Sequence, residues 1–127
     1  MLPSAHRMRR STDFADTIRR GRRVGRRTLV VHLLRPVAAA GDSFTAGPLP
    51  ATQVGLVVSR AVGNSVVRHR VSRRLRAVIA PRLVSLPQGT RLVVRALPAG
   101  ASASSAELAS DLQAALDAAG RRPAALA

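Results

Sequence analysis

No acidic residue stands between Asp42 and Glu107, although nine arginines lie in that stretch. Domains usually offset such charges by placing both signs side by side on the surface. This chain cannot do so over about half of its length, so the like charges repel one another. The segment must therefore place its charges at the surface, away from an apolar core. An external polyanion can neutralise them there.

The chain is long enough for one small domain. Its 127 residues include 21 basic and six acidic side chains, for a formal net charge of +15, yet 46% of the residues are hydrophobic. That apolar content separates the chain from disordered basic tails, which cannot bury enough surface to fold. We predict a single domain over residues 1–127, with a core over about 5–120, a flexible loop over 36–52 and a disordered tail over 121–127.

Several classes of function are excluded by composition. The chain has no cysteine, which rules out disulfides, zinc ribbons and cysteine nucleophiles. His6, His32 and His69 lie too far apart in the sequence to form a metal-ligand motif. No apolar run approaches the roughly 18 residues that span a bilayer, so we expect no membrane partner and a cytoplasmic protein. The expected polyanion is a nucleic acid.

Periodicity, turn residues and caps predict three helices and three strands. In chain order these are a helix that Ser11 or Thr12 caps and Gly21 ends, strands over 28–34 and 53–59, a helix over 65–80 between Asn64 and Pro81, a strand over 90–97, and a helix that a Ser104–Glu107 capping box opens and Gly120 closes. The order αββαβα is typical of an α+β domain.

The helix predicted over 65–80 has one apolar and one basic side. Its apolar stripe consists of Val67, Val71, Leu75 and Val78. The opposite side carries His69, Arg73 and Arg76 with Arg70 beside them, while Arg68 and Arg74 fall toward the edges of the stripe. No carboxylate one turn away offsets the repulsion among these arginines, and that repulsion weakens a helix. Phosphates would supply the counter-charge, so this face predicts contact with nucleic acid.

Four segments around this helix resemble a known family in unbroken order. They are Val54-Gly-Leu-Val-Val-Ser-Arg60, Val62-Gly-Asn64, Val66-Val-Arg-His-Arg-Val71 and Arg73-Arg-Leu-Arg76. They are similar to the strand, Gly-Asn turn and Arg-Asn-Arg helix of the protein subunit of bacterial ribonuclease P. Residues 6–14, 19–24, 92–96 and 105–116 resemble other parts of that family, so the resemblance covers roughly residues 5–120.

The resemblance implies a fold more specific than periodicity alone predicts. It adds a short strand near residues 22–24, which makes the order αβββαβα in a single compact α+β domain. The sheet is expected to be mixed and mainly antiparallel, in a ribosomal-protein S5 domain 2-like fold with a left-handed crossover. The crossover comes from the resemblance alone, since the general rule favours a right-handed connection.

The resemblance also implies a function as the RNA-binding protein subunit of ribonuclease P. This endoribonuclease removes the 5′ leader of precursor tRNA, and its catalytic RNA subunit carries out the hydrolysis with Mg²⁺ that the RNA and the substrate mainly bind. One protein per RNA subunit is expected. The residues agree independently, because a two-metal protein nuclease needs clustered carboxylates that this chain lacks between residues 43 and 106. We expect no catalytic residue in the chain.

Two groups of binding residues follow from the resemblance. Those expected to contact the RNA subunit are Arg60, Asn64, Arg68, His69, Arg70, Arg73, Arg74 and Arg76. Those expected to contact the leader of precursor tRNA are Arg9, Arg10, Phe14, Ile18 and His32. The chain departs from the family pattern where His69 replaces an asparagine and Ser72 a lysine, and where Ile18 and His32 replace aromatic side chains.

Alternatives remain open at the level of sequence. Phe14 could stack on a leader nucleotide, or it could dock the first helix on the sheet as an ordinary core residue. A ribosomal or RNA-chaperone protein would share the charge and fold class, and a DNA-binding architectural protein is a third hypothesis, although no intercalating wedge supports it. The nucleic acid that co-purifies from cells distinguishes them: one discrete catalytic RNA, ribosomal RNA or heterogeneous DNA.

Overall fold

The computed structural model describes residues 6–35 and 51–120. The elements in chain order are α1 (Ser11–Arg20), β1 (Arg22–Gly25), β2 (Leu29–Leu34), β3 (Gln53–Val57), α2 (Ser65–Ile79), a 3-10 helix (Ala80–Ser85), β4 (Arg91–Ala96), a second 3-10 helix (Pro98–Ser102) and α3 (Ser105–Gly120). The predicted tail over 121–127 lies outside the described residues, as does the predicted loop over 36–52 except for its last two positions.

The four strands form one mixed sheet in the order β1-β2-β4-β3. β2 pairs antiparallel with β1 and β4, whereas β3 pairs parallel with β4. A parallel pair needs a crossover connection, which α2 and the following 3-10 helix provide. The predicted αβββαβα order, the short first strand and the mainly antiparallel sheet are confirmed. The left hand of the crossover stays a prediction.

The core lies between one face of the sheet and helices α2 and α3. Its fully buried large side chains include Leu29 and Val31 of β2, Leu92 and Val94 of β4, Val71 and Leu75 of α2, and Leu108 and Leu112 of α3. The apolar stripe predicted for α2 is thus confirmed, with Val67 only half-buried at its start. Burial of this stripe fixes which side of α2 faces outward.

Helix α1 packs on the other face of the sheet. Strand side chains alternate between faces, and Gly55, which follows the core residue Val54, faces the ring of Phe14. Helix α1 lies mainly against β2 and β4 at the centre of the sheet. In the part of the chain that the structure describes, the sheet is therefore covered by α2 and α3 on one face and by the short α1 on the other.

Two of the three predicted helix caps are confirmed. The Asn64 Oδ1 accepts a hydrogen bond from the Val67 N–H at 2.9 Å. In the Ser104–Glu107 capping box, the two reciprocal bonds measure 2.8 and 3.0 Å. The predicted cap of α1 is wrong: the helix already begins at Ser11, and the cap residue is Arg10, whose side chain makes no capping bond. None of the helices in the described part is long and apolar enough to cross a membrane.

The predicted ends of several elements are shifted by one or two residues. The strand predicted over 53–59 ends at Val57, and those predicted over 28–34 and 90–97 begin at Leu29 and Arg91. The helix predicted over 65–80 ends at Ile79, and the chain continues as a 3-10 helix that contains Pro81. Proline is tolerated in that first turn because its missing N–H has no partner to lose there.

Residues Thr28 and Asp111 join the start of β2 to α3. The Asp111 Oδ2 accepts from the Thr28 hydroxyl at 2.5 Å and from the Thr28 N–H at 3.0 Å. These hydrogen bonds, led by that from the hydroxyl, lower the pKa of the Asp111 carboxyl from its ordinary value. A carboxyl whose pKa is lower in the folded state stabilises the fold above its unfolded-state pKa, and this contribution disappears as the pH falls through the folded-state pKa.

We expect Thr28→Val to lower the free energy of unfolding at pH 7 by about 1–3 kcal/mol, because the Asp111 carboxylate loses its hydroxyl donor. The loss should shrink as the pH falls from 5 to below 3, where the carboxyl becomes protonated in both proteins. Urea unfolding across this pH range measures the effect, with Thr12→Val at an exposed position of α1 as the matched control. If the free energies of unfolding of the wild type and Thr28→Val change in parallel with pH, the Thr28–Asp111 hydrogen bonds are not the source of the pH-dependent stability.

Candidate nucleic-acid interface

The outward side of α2 carries most of the residues predicted to contact an RNA subunit. His69 and Arg73 are exposed, and Arg68, Arg70 and Arg76 are half-buried. Within residues 6–35 and 51–120, no carboxylate forms an ion pair with an arginine of α2. The face therefore presents its positive charge to solvent uncompensated, as the sequence predicts.

The turn that leads into α2 places Arg60 and Asn64 beside this face. The Val62 N–H donates to the Ser59 carbonyl and the Gly63 N–H to the Arg60 carbonyl, so the turn is tight and Arg60 is held exposed at its outer side. A Cβ on Gly63 would lie only 2.8 Å from Val67 Cγ1, so a larger residue would push the turn away from the helix. The Asn64 side chain serves as a helix cap.

Two predicted contact residues on α2 have buried atoms that no acceptor satisfies. The Nε atoms of Arg68 and Arg70 are covered by protein, and no partner for them lies within the described residues. Burying a polar N–H without an acceptor costs free energy. Both side chains are thus held against α2 by packing, with no internal hydrogen bond at Nε.

Arg74 differs from its neighbours on α2. Its Nη1 donates to the carbonyl oxygen of the buried Ala103 at 2.8 Å. This bond joins α2 to the segment that precedes α3. The sequence analysis assigns Arg74 to the group that contacts RNA. In the folded chain, however, its hydrogen bond holds α2 to the segment before α3. Any RNA contact by Arg74 stays a prediction.

The second predicted group gathers around α1. The half-buried Phe14 ring lies on β3: a Cβ on Gly55 would come within 2.4 Å of Phe14 Cε1 and 2.5 Å of Cζ. Only glycine lets the ring approach the strand so closely. Ile18, one turn further, is also half-buried, and Arg9 and Arg10 are exposed just before the helix. Phe14 thus both docks α1 and keeps part of its ring accessible.

Acidic residues of α1 hold the helix over the centre of the sheet. Arg91 of β4 pairs with Asp13 at 3.6 Å and with Asp16 at 3.4 Å. Asp16 also pairs with Arg20 at 3.2 Å on the helix itself. The two aspartates therefore neutralise arginines inside the domain.

His32 lies deeper than its predicted role requires. Only 4% of its surface is exposed, and its Nδ1 is covered and has no hydrogen-bond partner in the described part of the chain. Burial lowers the pKa of the imidazole, and the charges of Arg95 and Arg23 lower it further. His32 is therefore neutral at pH 7, and a leader nucleotide could touch only its exposed edge.

Arg23 and Arg95 are candidate binding residues that the sequence analysis missed. Arg23 is the cross-strand partner of His32, and Arg95 is the partner of the neighbouring Val30. Both arginines are exposed on the face of the sheet that carries α1. Their alignment depends on the register of three strands, and no local pattern in the sequence predicts that register.

The described residues contain no group of three or more His, Asp or Glu side chains that could hold a metal ion. Four of their carboxylates are engaged in ion pairs: Asp13, Asp16, Glu107 and Asp111. This donor set does not fit a two-metal nuclease site, which needs several carboxylates around a shared cavity. The interface can bind and position a polyanion.

Comparisons with known proteins agree with this picture. A family model described as Ribonuclease P matches residues 2–120. The "Ribonuclease P protein component" of Corynebacterium diphtheriae is 52% identical over 117 residues, which cover 92% of this chain and 95% of that protein. That of Rhodococcus opacus is 51% identical over 116 residues, covering 91% and 90%.

Solved structures of similar fold come from more distant bacteria. The RNase P protein of Staphylococcus aureus matches with a TM-score of 0.73 at 20% identity, over 92% of this chain and 97% of that one. The RNase P protein of Thermotoga maritima matches with a TM-score of 0.68 at 18% identity, over 88% and 96%. At this identity the two structures support the fold alone.

Arg73 and Arg74 are adjacent on α2 and make a matched pair for separating surface charge from structure. We expect Arg74→Ala to lower the free energy of unfolding by about 1–3 kcal/mol, because the buried Ala103 carbonyl loses its donor. Arg73→Ala removes the same charge from an exposed position and should change that free energy by no more than about 0.5 kcal/mol. Denaturant unfolding of both variants measures the difference, and equal stabilities would show that the Arg74 bond contributes nothing.

Proposed function

The chain belongs to the ribonuclease P protein family, and from this premise we propose that its two basic surfaces bind two different RNAs. The outward side of α2 binds the catalytic RNA subunit, and a leader surface, formed by α1 and the exposed arginines on the same face of the sheet, binds the 5′ leader of precursor tRNA. The observation that carries the proposal is the face of α2, whose arginines have no carboxylate partner among the described residues.

The α2 face suits a large structured RNA. The helix is fixed by its buried stripe and by the Arg74 bond to Ala103, so Arg70, Arg73 and Arg76 are presented from a rigid support. Arginine binds phosphate oxygens through a planar fork of donors, and each neutralised phosphate releases counterions from the RNA. Because the backbone of α2 is already fixed, binding does not have to order the helix.

The leader surface suits a single-stranded RNA. It offers the accessible part of the Phe14 ring and, on the same face of the sheet, the exposed Arg23 and Arg95. Single-stranded RNA is held by stacking of bases on aromatic side chains and by cations that follow the phosphates. Arg9 and Arg10 extend the positive charge at the beginning of α1.

The chemistry is assigned to the RNA. Catalysis by this family resides in its RNA subunit, and we place the Mg²⁺ ions with that RNA and the substrate, since four of the five carboxylates in the described chain are engaged in ion pairs. The protein contributes by reducing the repulsion between leader and catalytic RNA, so that their phosphates can come together around the ions. We further propose one protein per RNA subunit, acting in the cytoplasm.

Assembly of the holoenzyme tests the α2 surface. The triple variant Arg70→Ala, Arg73→Ala, Arg76→Ala should bind the RNA subunit more weakly, by on the order of 1–3 kcal/mol for each phosphate contact that is lost. The slope of log K against log salt concentration should decrease in magnitude by about 2 to 3, because three phosphate contacts disappear. Filter binding at several salt concentrations measures both quantities.

The matched control is an Arg19→Ala, Arg20→Ala, Arg27→Ala triple variant. It removes the same charge from arginines that already pair with Asp16 or Glu107. We expect its salt dependence to stay near that of the wild type. If both triple variants lose affinity equally, net charge alone binds the RNA and the assignment of α2 is wrong.

Substitution of Phe14 tests the leader surface. Phe14→Ala should weaken binding of precursor tRNA to the holoenzyme by about 1–3 kcal/mol, the typical contribution of one stacked base. Binding of mature tRNA, which has no leader, should change little, although the melting temperature should fall because the ring also docks α1 on β3. A ring that only docks α1 would impair both ligands alike. Comparing the two affinities at a temperature where the variant is folded, as the melt shows, distinguishes the two roles.

A further inference from the structure

Two large hydrophobic side chains stand out as exposed among residues 6–35 and 51–120: Val66, which is 71% exposed, and Val84, which is 90% exposed. Val84 lies on the 3-10 helix that follows α2. Val66 lies in the first turn of α2, on the side opposite the buried stripe. It adds nothing to the core, and a β-branched residue is not a favourable choice for an exposed helical position. Neither core packing nor helix propensity therefore explains an exposed valine among the arginines of α2.

Val66 forms the apolar part of a shallow, open groove on the surface of α2. The groove is lined by Ser65, Val66, His69, Arg70 and Arg73. His69 follows Val66 by three residues, so the imidazole and the isopropyl group are neighbours on the helix surface. Arg70 and Arg73 border them on the same outward side. The groove thus combines an apolar wall, a flat ring and two cations.

This combination matches one chemical class of ligand. Two cations that form no ion pair with a carboxylate of the described residues favour an anion. An exposed apolar side chain beside an imidazole favours a flat, weakly polar ring. An unstacked nucleotide carries both parts: the base packs and stacks, and the flanking phosphates meet the arginines. A phosphate backbone alone would gain nothing from Val66, because apolar atoms cannot bind its oxygens. An acidic peptide would leave the imidazole face uncovered.

We propose that the groove binds one unstacked nucleobase of the catalytic RNA subunit, which packs on Val66 and stacks on His69 while Arg70 and Arg73 bind the adjacent phosphates. The proposal rests on the proposed function of α2 and goes beyond phosphate contact, because it makes position 69 a stacking residue. The asparagine that the family resemblance leads one to expect there has no ring to stack.

Affinity for the RNA subunit and its salt dependence separate packing from charge. Val66→Ala should weaken binding about three- to tenfold, which corresponds to losing the burial of about one to two carbon groups, with an unchanged salt dependence. Because alanine is a better helix former than valine, the melting temperature of Val66→Ala should equal or exceed that of the wild type. Val84→Ala is the matched control, since it shortens the other exposed valine outside the groove. We expect it to bind RNA as the wild type does.

Variants of His69 test the stacking itself. His69→Ala should weaken binding roughly 5- to 100-fold, the range expected for loss of one stacked base, whereas His69→Phe keeps a flat ring and should retain most of the affinity. A histidine that only donated a hydrogen bond to phosphate would lose as much in the phenylalanine variant as in the alanine variant.

Each outcome decides one question. Wild-type protein that fails to bind the catalytic RNA subunit overturns the proposed function itself. If the wild type binds and Val66→Ala equals Val84→Ala, or if His69→Phe binds as weakly as His69→Ala, the nucleobase site is refuted while phosphate binding by α2 stands. The nucleobase site is established if Val66→Ala and His69→Ala both bind the RNA subunit more weakly while His69→Phe binds nearly as tightly as the wild type. The salt dependence of Val66→Ala must also be unchanged.

Discussion

Carboxylates are the scarce component of this domain, and the rest of the structure depends on where they are used. Asp13 and Asp16 hold α1 to Arg91 of β4, and Asp111 holds α3 to Thr28 at the start of β2. Glu107 completes the cap of α3 and pairs with Arg27. In the described residues these acids lie on α1 and α3 and none pairs with α2. The distribution keeps the helices in place and leaves one helix with its positive charge unmatched.

The arginines of α2 and of the 3-10 helix that follows it fall into two physical classes. Arg74 and Arg82 donate to acceptors on neighbouring segments, Arg74 to the Ala103 carbonyl and Arg82 to Gln113 of α3. The Arg74 bond adds to the buried apolar stripe in fixing the rotation of α2 about its own axis, so that Arg70 and Arg73 lie on the side away from the core. A count of charges along the helix cannot separate arginines with a structural bond from arginines that remain available to a partner.

Features governed by local periodicity could be predicted from the sequence. The buried stripe of α2, its Asn64 cap and the Ser104–Glu107 box all depend on residues within a few positions of one another. Features that depend on distant segments could not. The bond of Arg74 reaches 29 residues along the chain, and the burial of His32 depends on where α1 crosses the sheet. The alignment of Arg23 and Arg95 requires the register of the strands. The short β1 strand came from the family resemblance, since its four residues are too few and too charged to show alternation.

The two proposed RNA surfaces meet at a single strand. Gly55 supports the Phe14 ring from within β3, and the turn after that strand carries Arg60 and enters α2 through Asn64. β3 is held by its parallel pairing with β4 along five residues, so hydrogen-bonded backbone sets the distance between the proposed leader surface and the α2 face. In the function we propose, an RNA bound on α2 and a leader bound on α1 are therefore held at one separation, and the protein orders the two RNAs before they react.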